Sequence, residues 1–291
     1  MRPTRSSTHT QPSTRLAVVL CGISLLLAAS CGESADTQAP AADERGPLGY
    51  VAATAAPPGW IARRLLEGTA EVRIVAPDPD DPGAMLSAEQ VRSLQRAELI
   101  LTHGAHLETW IAGISLPRSR LHETTVGFAD RFLQRPEVVT HSHGVGGTHS
   151  HRLPVSQTWL DPELLSLQAE AIAELLAQAY PDSAAQIGRR AIELRAGLDA
   201  IGARLDTIAS RSPGLRVAAG PEFRYLLARM GALPAPAPDA DLVFASQRDP
   251  AASADAIRWP VSGHAPLDGV DLLERIEAAV AQVELAVARL D

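Results

Sequence analysis

The chain has 291 residues, 46% hydrophobic and only 4% aromatic, which is ordinary globular composition with length enough for two lobes. Its formal net charge is −8 and all 26 basic residues are arginine. An acidic chain with no concentrated basic face leaves nucleic acid out as a partner, because phosphate contacts need clustered cations; a cation is the more natural ligand.

Arg2, Arg5 and Arg15 precede an apolar run from Leu16 to Ala29 that is too short to span a bilayer comfortably, so residues 1–30 read as a secretory leader. The leader closes on Leu27-Ala28-Ala29-Ser30-Cys31, which resembles a bacterial lipobox, with Ala28 where leucine is usual. Cys31 is therefore the expected lipidation site, and the mature protein is expected outside the cytoplasm, anchored to the membrane by lipid. Cleavage removes three arginines and no acid, taking the net charge from −8 to −11. With Cys21 in the leader and Cys31 acylated, no cysteine pair remains for a disulfide.

Residues 31–47 are small, polar and proline-containing, and read as a flexible tether. A strand is expected over Tyr50 to Ala53, then Pro57-Pro58-Gly59 and a helix from Trp60 to Leu66. Glu71 to Ala76 reads as a strand, and Asp78, Asp80 and Asp81 lie in a proline-rich acidic turn. Ser87 caps a helix from Ala88 to Ala97, and Leu99 to Thr102 is a short buried strand. The turn Thr102-His103-Gly104-Ala105-His106 follows, at the expected mouth of a cleft, leading to a helix over Leu107 to Ala112. Leu121 to Thr125 is a further strand. Helices are expected over Pro162 to Ala179 and Asp182 to Ala209, the second too long for one small lobe. Strands at Leu215 to Ala219, Asp241 to Ala245 and Arg258 to Val261 alternate with helices at Glu222 to Gly231 and Val270 to Leu290, while proline-rich Ala232 to Asp239 lacks one. Such alternation predicts an α/β fold of two parallel-sheet lobes joined by one long rigid helix, the second lobe reduced. The expected organisation is an N-terminal lobe over 48–180, the linking helix over 181–210 and a C-terminal lobe over 211–291.

Four of the nine histidines fall between His141 and His151, in Thr-His-Ser-His-Gly-Val-Gly-Gly-Thr-His-Ser-His. Imidazole is largely neutral near pH 7, so its lone pair is available without displacing a proton. Two His-x-His pairs around a glycine spacer can wrap one borderline metal ion, and Gly144, Gly146 and Gly147 predict a flexible loop rather than a strand or helix. His141, His143, His149 and His151 are the candidate ligands, with His103 and His106 placed to complete or relay the site. The nitrogen set suits zinc first, with copper or nickel allowed by ligand type. There is no His-Glu-x-x-His helix, no Gly-x-Ser-x-Gly elbow and no cysteine nucleophile in the mature chain, so an enzyme is not expected.

The run Ala97-Glu98-Leu99-Ile100-Leu101-Thr102-His103-Gly104-Ala105-His106-Leu107-Glu108-Thr109-Trp110 and the intact Trp159-Leu160-Asp161-Pro162, behind a histidine-rich segment and a lipobox, resemble the zinc and manganese substrate-binding proteins of bacterial ABC transporters (cluster A-I metal receptors). The resemblance covers about Leu48 to Gly231. It implies two α/β lobes bridged by a rigid helix, a zinc or manganese ion held between them, and an ABC permease as partner; a monomer is expected. The usual cleft ligands are replaced: Gly83 stands where the family has the histidine of an Asp-Pro-His turn, Gln157 where a second histidine precedes the tryptophan, and Gly220 in the third, within Ala219-Gly220-Pro221-Glu222-Phe223-Arg224-Tyr225. Asp249 and Asp268 are candidates for the acidic fourth ligand. Two functions stay open: a lipid-anchored receptor handing zinc to a permease, and a non-transport metal buffer or scaffold that kept the fold without the cleft site.

Overall fold

The computed structural model describes residues 49–78, 85–142, 148–247, 249–260 and 271–290. The leader, Cys31, the tether, Gly83, His143 and Asp268 lie outside them.

Strands β1 (Val51–Ala53), β2 (Val72–Ile74), β3 (Leu99–Thr102) and β4 (Leu121–Glu123) form a parallel sheet in the order β2-β1-β3-β4. The central pair β1 and β3 is buried residue by residue, with no polar alternation, as a sheet covered on both faces requires. Helix α1 (Ala56–Leu65) begins before Trp60, the expected start, because Pro57 and Pro58 sit in its first turn, where a missing N–H costs nothing. Gly59 lets α1 lie close on the sheet: a Cβ there would come within 2.5 Å of Ile74 Cγ1. Ser87 starts α2 (Ala88–Arg96) through a reciprocal capping box with Gln90, as its sequence position predicts. The helix expected over Leu107 to Ala112 is instead a 3-10 turn over Thr109–Gly113, because the Glu108 carboxylate folds back onto the preceding turn.

The histidine segment also departs from expectation. Strands β5 (Gln134–Ser142) and β6 (Thr148–Pro154) pair antiparallel as a two-stranded ribbon, in which His141 is the Cα partner of His149 and Val139 that of His151. Val138, Val139 and Thr140 favour extended backbone, and no glycine falls within the two paired segments, so these are strands rather than loop.

Asp161 caps α3 (Pro162–Ala179), accepting from the Glu163 amide, with Pro162 in the first turn. Helix α4 (Ala184–Arg211) has 28 residues, about 42 Å at helical rise, and buries Ile187, Leu194, Leu198, Ile201, Leu205 and Ile208 along one stripe. The second lobe comprises β7 (Arg216–Ala218), α5 (Arg224–Arg229), β8 (Leu233–Pro234), β9 (Leu242–Ser246), β10 (Ile257–Trp259) and α6 (Leu272–Val287). Its four strands are parallel in the order β10-β9-β7-β8. The proline-rich segment supplies the two-residue strand β8 and a short 3-10 turn in place of a helix. One apolar cluster runs through both sheets and α1, α3, α4 and α6, so the lobes share a core rather than each closing its own. Among the described residues no helix is long and apolar enough to cross a membrane.

Candidate functional site

In parallel α/β sheets ligands bind beyond the carboxyl ends of the strands, where strand order reverses. The reversal falls between β1 and β3 in the first lobe and between β7 and β9 in the second.

At the end of β3, Gly104, Ala105 and His106 take φ of 87°, 48° and 62° in succession. Each non-glycine residue there costs about 1–2 kcal/mol, so something must hold the turn. Glu108 does: buried, it accepts from the His103 amide at 2.6 Å, the Gly104 amide at 2.9 Å and Thr54 Oγ1 at 2.7 Å. Burial pushes its carboxyl above the usual range, against the lowering effect of those donors.

The turn separates the two histidines expected to act together. His106 is exposed, beside a cavity of about 450 Å³ that Glu123 also lines. His103, expected at the open mouth of the cleft, is corrected to the interior with 0% exposure. Its Nε2 lies 2.9 Å from the Ser156 carbonyl and 3.2 Å from Thr158 Oγ1, and its Nδ1 3.1 Å from Gln168 Nε2. That set calls for an imidazole with the proton on Nε2, donating to Ser156 and accepting from Gln168 at Nδ1. Gln168 also donates to Thr124 Oγ1 at 2.7 Å, and the ring stands edge-on to Trp159 at 5.0 Å. This network ties β3, β4, the Trp-Leu-Asp-Pro turn and α3 together. Sequence reasoning named His103 and Trp159 but passed over their partners Ser156, Thr158, Thr124 and Gln168; the one signal for these was Gln168, a lone amide on the apolar face of α3.

Trp159 then crosses to the second lobe, donating to the Pro260 carbonyl at 3.0 Å. Tyr225 accepts from the Leu133 amide at 3.0 Å, and Arg224 donates to the Gln134 carbonyl at 2.7 Å. Between these links, at the end of β7 and the root of the ribbon, lies a pocket of about 320 Å³ lined by Arg135, Glu137, Gln157, Pro221, Glu222 and Arg224, among others. Gln157, one of the positions the resemblance marks as substituted, lines it, and Gly220, another, directly precedes the lining Pro221. A Cβ at Gly220 would lie 2.3 Å from Glu222 Oε2: the Glu222 carboxylate occupies the space a side chain at 220 would need. Asp249 caps a local turn, accepting from the Ala251 amide at 2.8 Å. His141, His149 and His151 are described at the level of the ribbon backbone, and His143 lies outside the described residues. Among the described residues no group of three or more His, Cys, Asp or Glu side chains is placed to hold a metal ion.

Two parallel α/β lobes sharing a core along one long helix, with a pocket at the strand ends, match the two-lobe fold of solute-binding proteins. Residues 51–256 match the family "Zinc-uptake complex component A periplasmic", and the chain belongs to that family. Its members are metal-binding receptors for ABC uptake that work with a permease and are not enzymes. Among solved structures, a mutant of the laminin-binding adhesin Lmb from Streptococcus agalactiae is 15% identical with a TM-score of 0.63, covering 82% of this chain and 99% of that one. FpvC from Pseudomonas aeruginosa, in complex with Mn2+, is 16% identical with a TM-score of 0.63 over 84% of this chain and 100% of that one. A Zn(II)-bound AdcAII variant from Streptococcus pneumoniae is 15% identical with a TM-score of 0.59, over 84% and 99%. At such identities the likeness establishes the fold. No curated protein sequence matches the chain.

Proposed function

We propose that the mature protein is a lipid-anchored zinc receptor, tethered through Cys31 and residues 31–47, that holds its cargo on His141, His143, His149 and His151 and passes it to an ABC permease. His106 is the further histidine open to solvent that can take part. The observation that carries this reading is the register of the ribbon: His141 faces His149 across the ladder, and His151 follows two residues on. Opposite positions and those two residues along share a ribbon face, and opposite Cβ atoms lie about 4.5–5.5 Å apart, a spacing that suits two imidazoles on one zinc ion. Neutral nitrogen donors also admit copper and nickel, and the likeness to FpvC, solved in complex with Mn2+, keeps manganese open.

Calorimetric titration of the leader-less protein with zinc tests this. Stoichiometric binding that disappears when the four histidines become alanine is expected; absent or millimolar binding refutes it. A second reading, a metal buffer that does not feed a permease, is favoured by the missing histidines at Gln157 and Gly220. Zinc uptake by cells lacking this protein separates the two, since only a transport receptor lowers uptake when deleted.

A further inference from the structure

We propose that the interlobe pocket beside Gly220 binds a small zwitterion of the α-amino-acid class, its carboxylate gripped by Arg135 and Arg224 and its ammonium by Glu222 and Glu137. The four side chains line one pocket, two of each sign, and Gln157, whose amide can both donate and accept, lines it too.

None of the four charges pairs with another of the four. Arg224 spends Nη1 on the Gln134 carbonyl at 2.7 Å, and Arg135 spends Nε on the Pro154 carbonyl at 3.2 Å, so each guanidinium is anchored by one contact while other N–H donors remain. Glu222 lies folded against Gly220, its Oε2 within 2.3 Å of where a Cβ at 220 would stand.

The charge arrangement discriminates among ligands. A bare divalent cation meets two guanidinium groups and only two carboxylates; a simple anion meets the two carboxylates; an apolar molecule offers the four charges no partner. A molecule carrying both signs a few bonds apart can meet an arginine and a glutamate at once, and a volume of about 320 Å³ accommodates a free amino acid. Charge-assisted, bidentate-capable guanidinium contacts supply the strongest of these bonds. The inference goes beyond the metal reading and uses none of its histidines.

The test is calorimetry on the leader-less protein with a panel of free L-amino acids, and with acetate, methylammonium and zinc chloride as separate titrants. Saturable micromolar binding of at least one amino acid is expected, weakened roughly tenfold or more by Glu222→Gln and by Arg224→Gln, with folding checked by circular dichroism. Should Arg224→Gln fail to fold, Arg135→Gln probes the other pocket guanidinium. The proposal is overturned if no amino acid saturates, if acetate binds as tightly as the amino acid, or if binding survives in the folded variants unchanged. Zinc binding by the ribbon is read in its own titration, so either idea can fail alone.

Discussion

Glu108 shows how a single residue sustains a strained turn. Three donors converge on its buried carboxylate, and two of them are the amides that open the left-handed run Gly104-Ala105-His106. Glu108→Gln turns an N–H toward donors that need an acceptor, and a loss of about 1–3 kcal/mol is expected in urea denaturation. Because burial raises this carboxyl, the folded chain holds its proton more tightly than the unfolded chain. The stability it contributes is therefore full below the ordinary value of 4.5 and declines as pH rises through the raised folded value. The glutamine variant lacks that slope, so the gap between the two proteins should widen in mild acid; a constant gap would show that Glu108 titrates alike in both states.

At the scale of elements, the long helix is held to the second lobe from its side. Arg204 on α4 meets Glu284 on α6 through two bonds of 2.8 and 2.7 Å, and Arg64 on α1 reaches Asp271, the cap of α6, at 2.5 Å. Both pairs are partly exposed, which limits what they contribute. Glu284→Gln is expected to cost about 0.5 kcal/mol at neutral pH. The Arg204 guanidinium holds the Glu284 carboxyl below 4.5, so this contribution is complete above that value and is lost as pH falls through the lowered folded value. The difference between wild type and variant in denaturation midpoint should accordingly close in acid.

For the molecule as a whole, the joint between lobes is made of buried apolar packing and a few directed bonds. Trp159, 1% exposed, spans it to the Pro260 carbonyl. Trp159→Phe leaves that carbonyl without its donor at a cost of about 1–3 kcal/mol. Amide exchange should speed up in β9 and β10 while β1 and β3 stay protected; uniform loss of protection would mean that the lobes unfold as one unit.

Much of this architecture is legible in the chain itself. The apolar run Leu99 to Leu101, the cap Ser87, the Asp161-Pro162 start of α3 and the length of α4 follow from local rules of periodicity, capping and proline, which act within a few residues. The histidine cluster is plain in the composition of residues 141–151, whereas the substitutions at Gln157 and Gly220 are visible only through the family resemblance. Local rules mislead where distant atoms decide: the Glu108 carboxylate ends a helical pattern, and cross-strand pairing turns a glycine-marked loop into the arms of a ribbon. His103 and His106 look equivalent in sequence, yet one is enclosed by Ser156, Thr158 and Gln168 and the other faces water. Sequence by itself determined the α/β class, the long helix and the residue types available for a cation, since these rest on local preference and composition. Only the tertiary structure decided which charges share the interlobe pocket and which histidine is interior, because burial and pairing are properties of what the fold brings alongside.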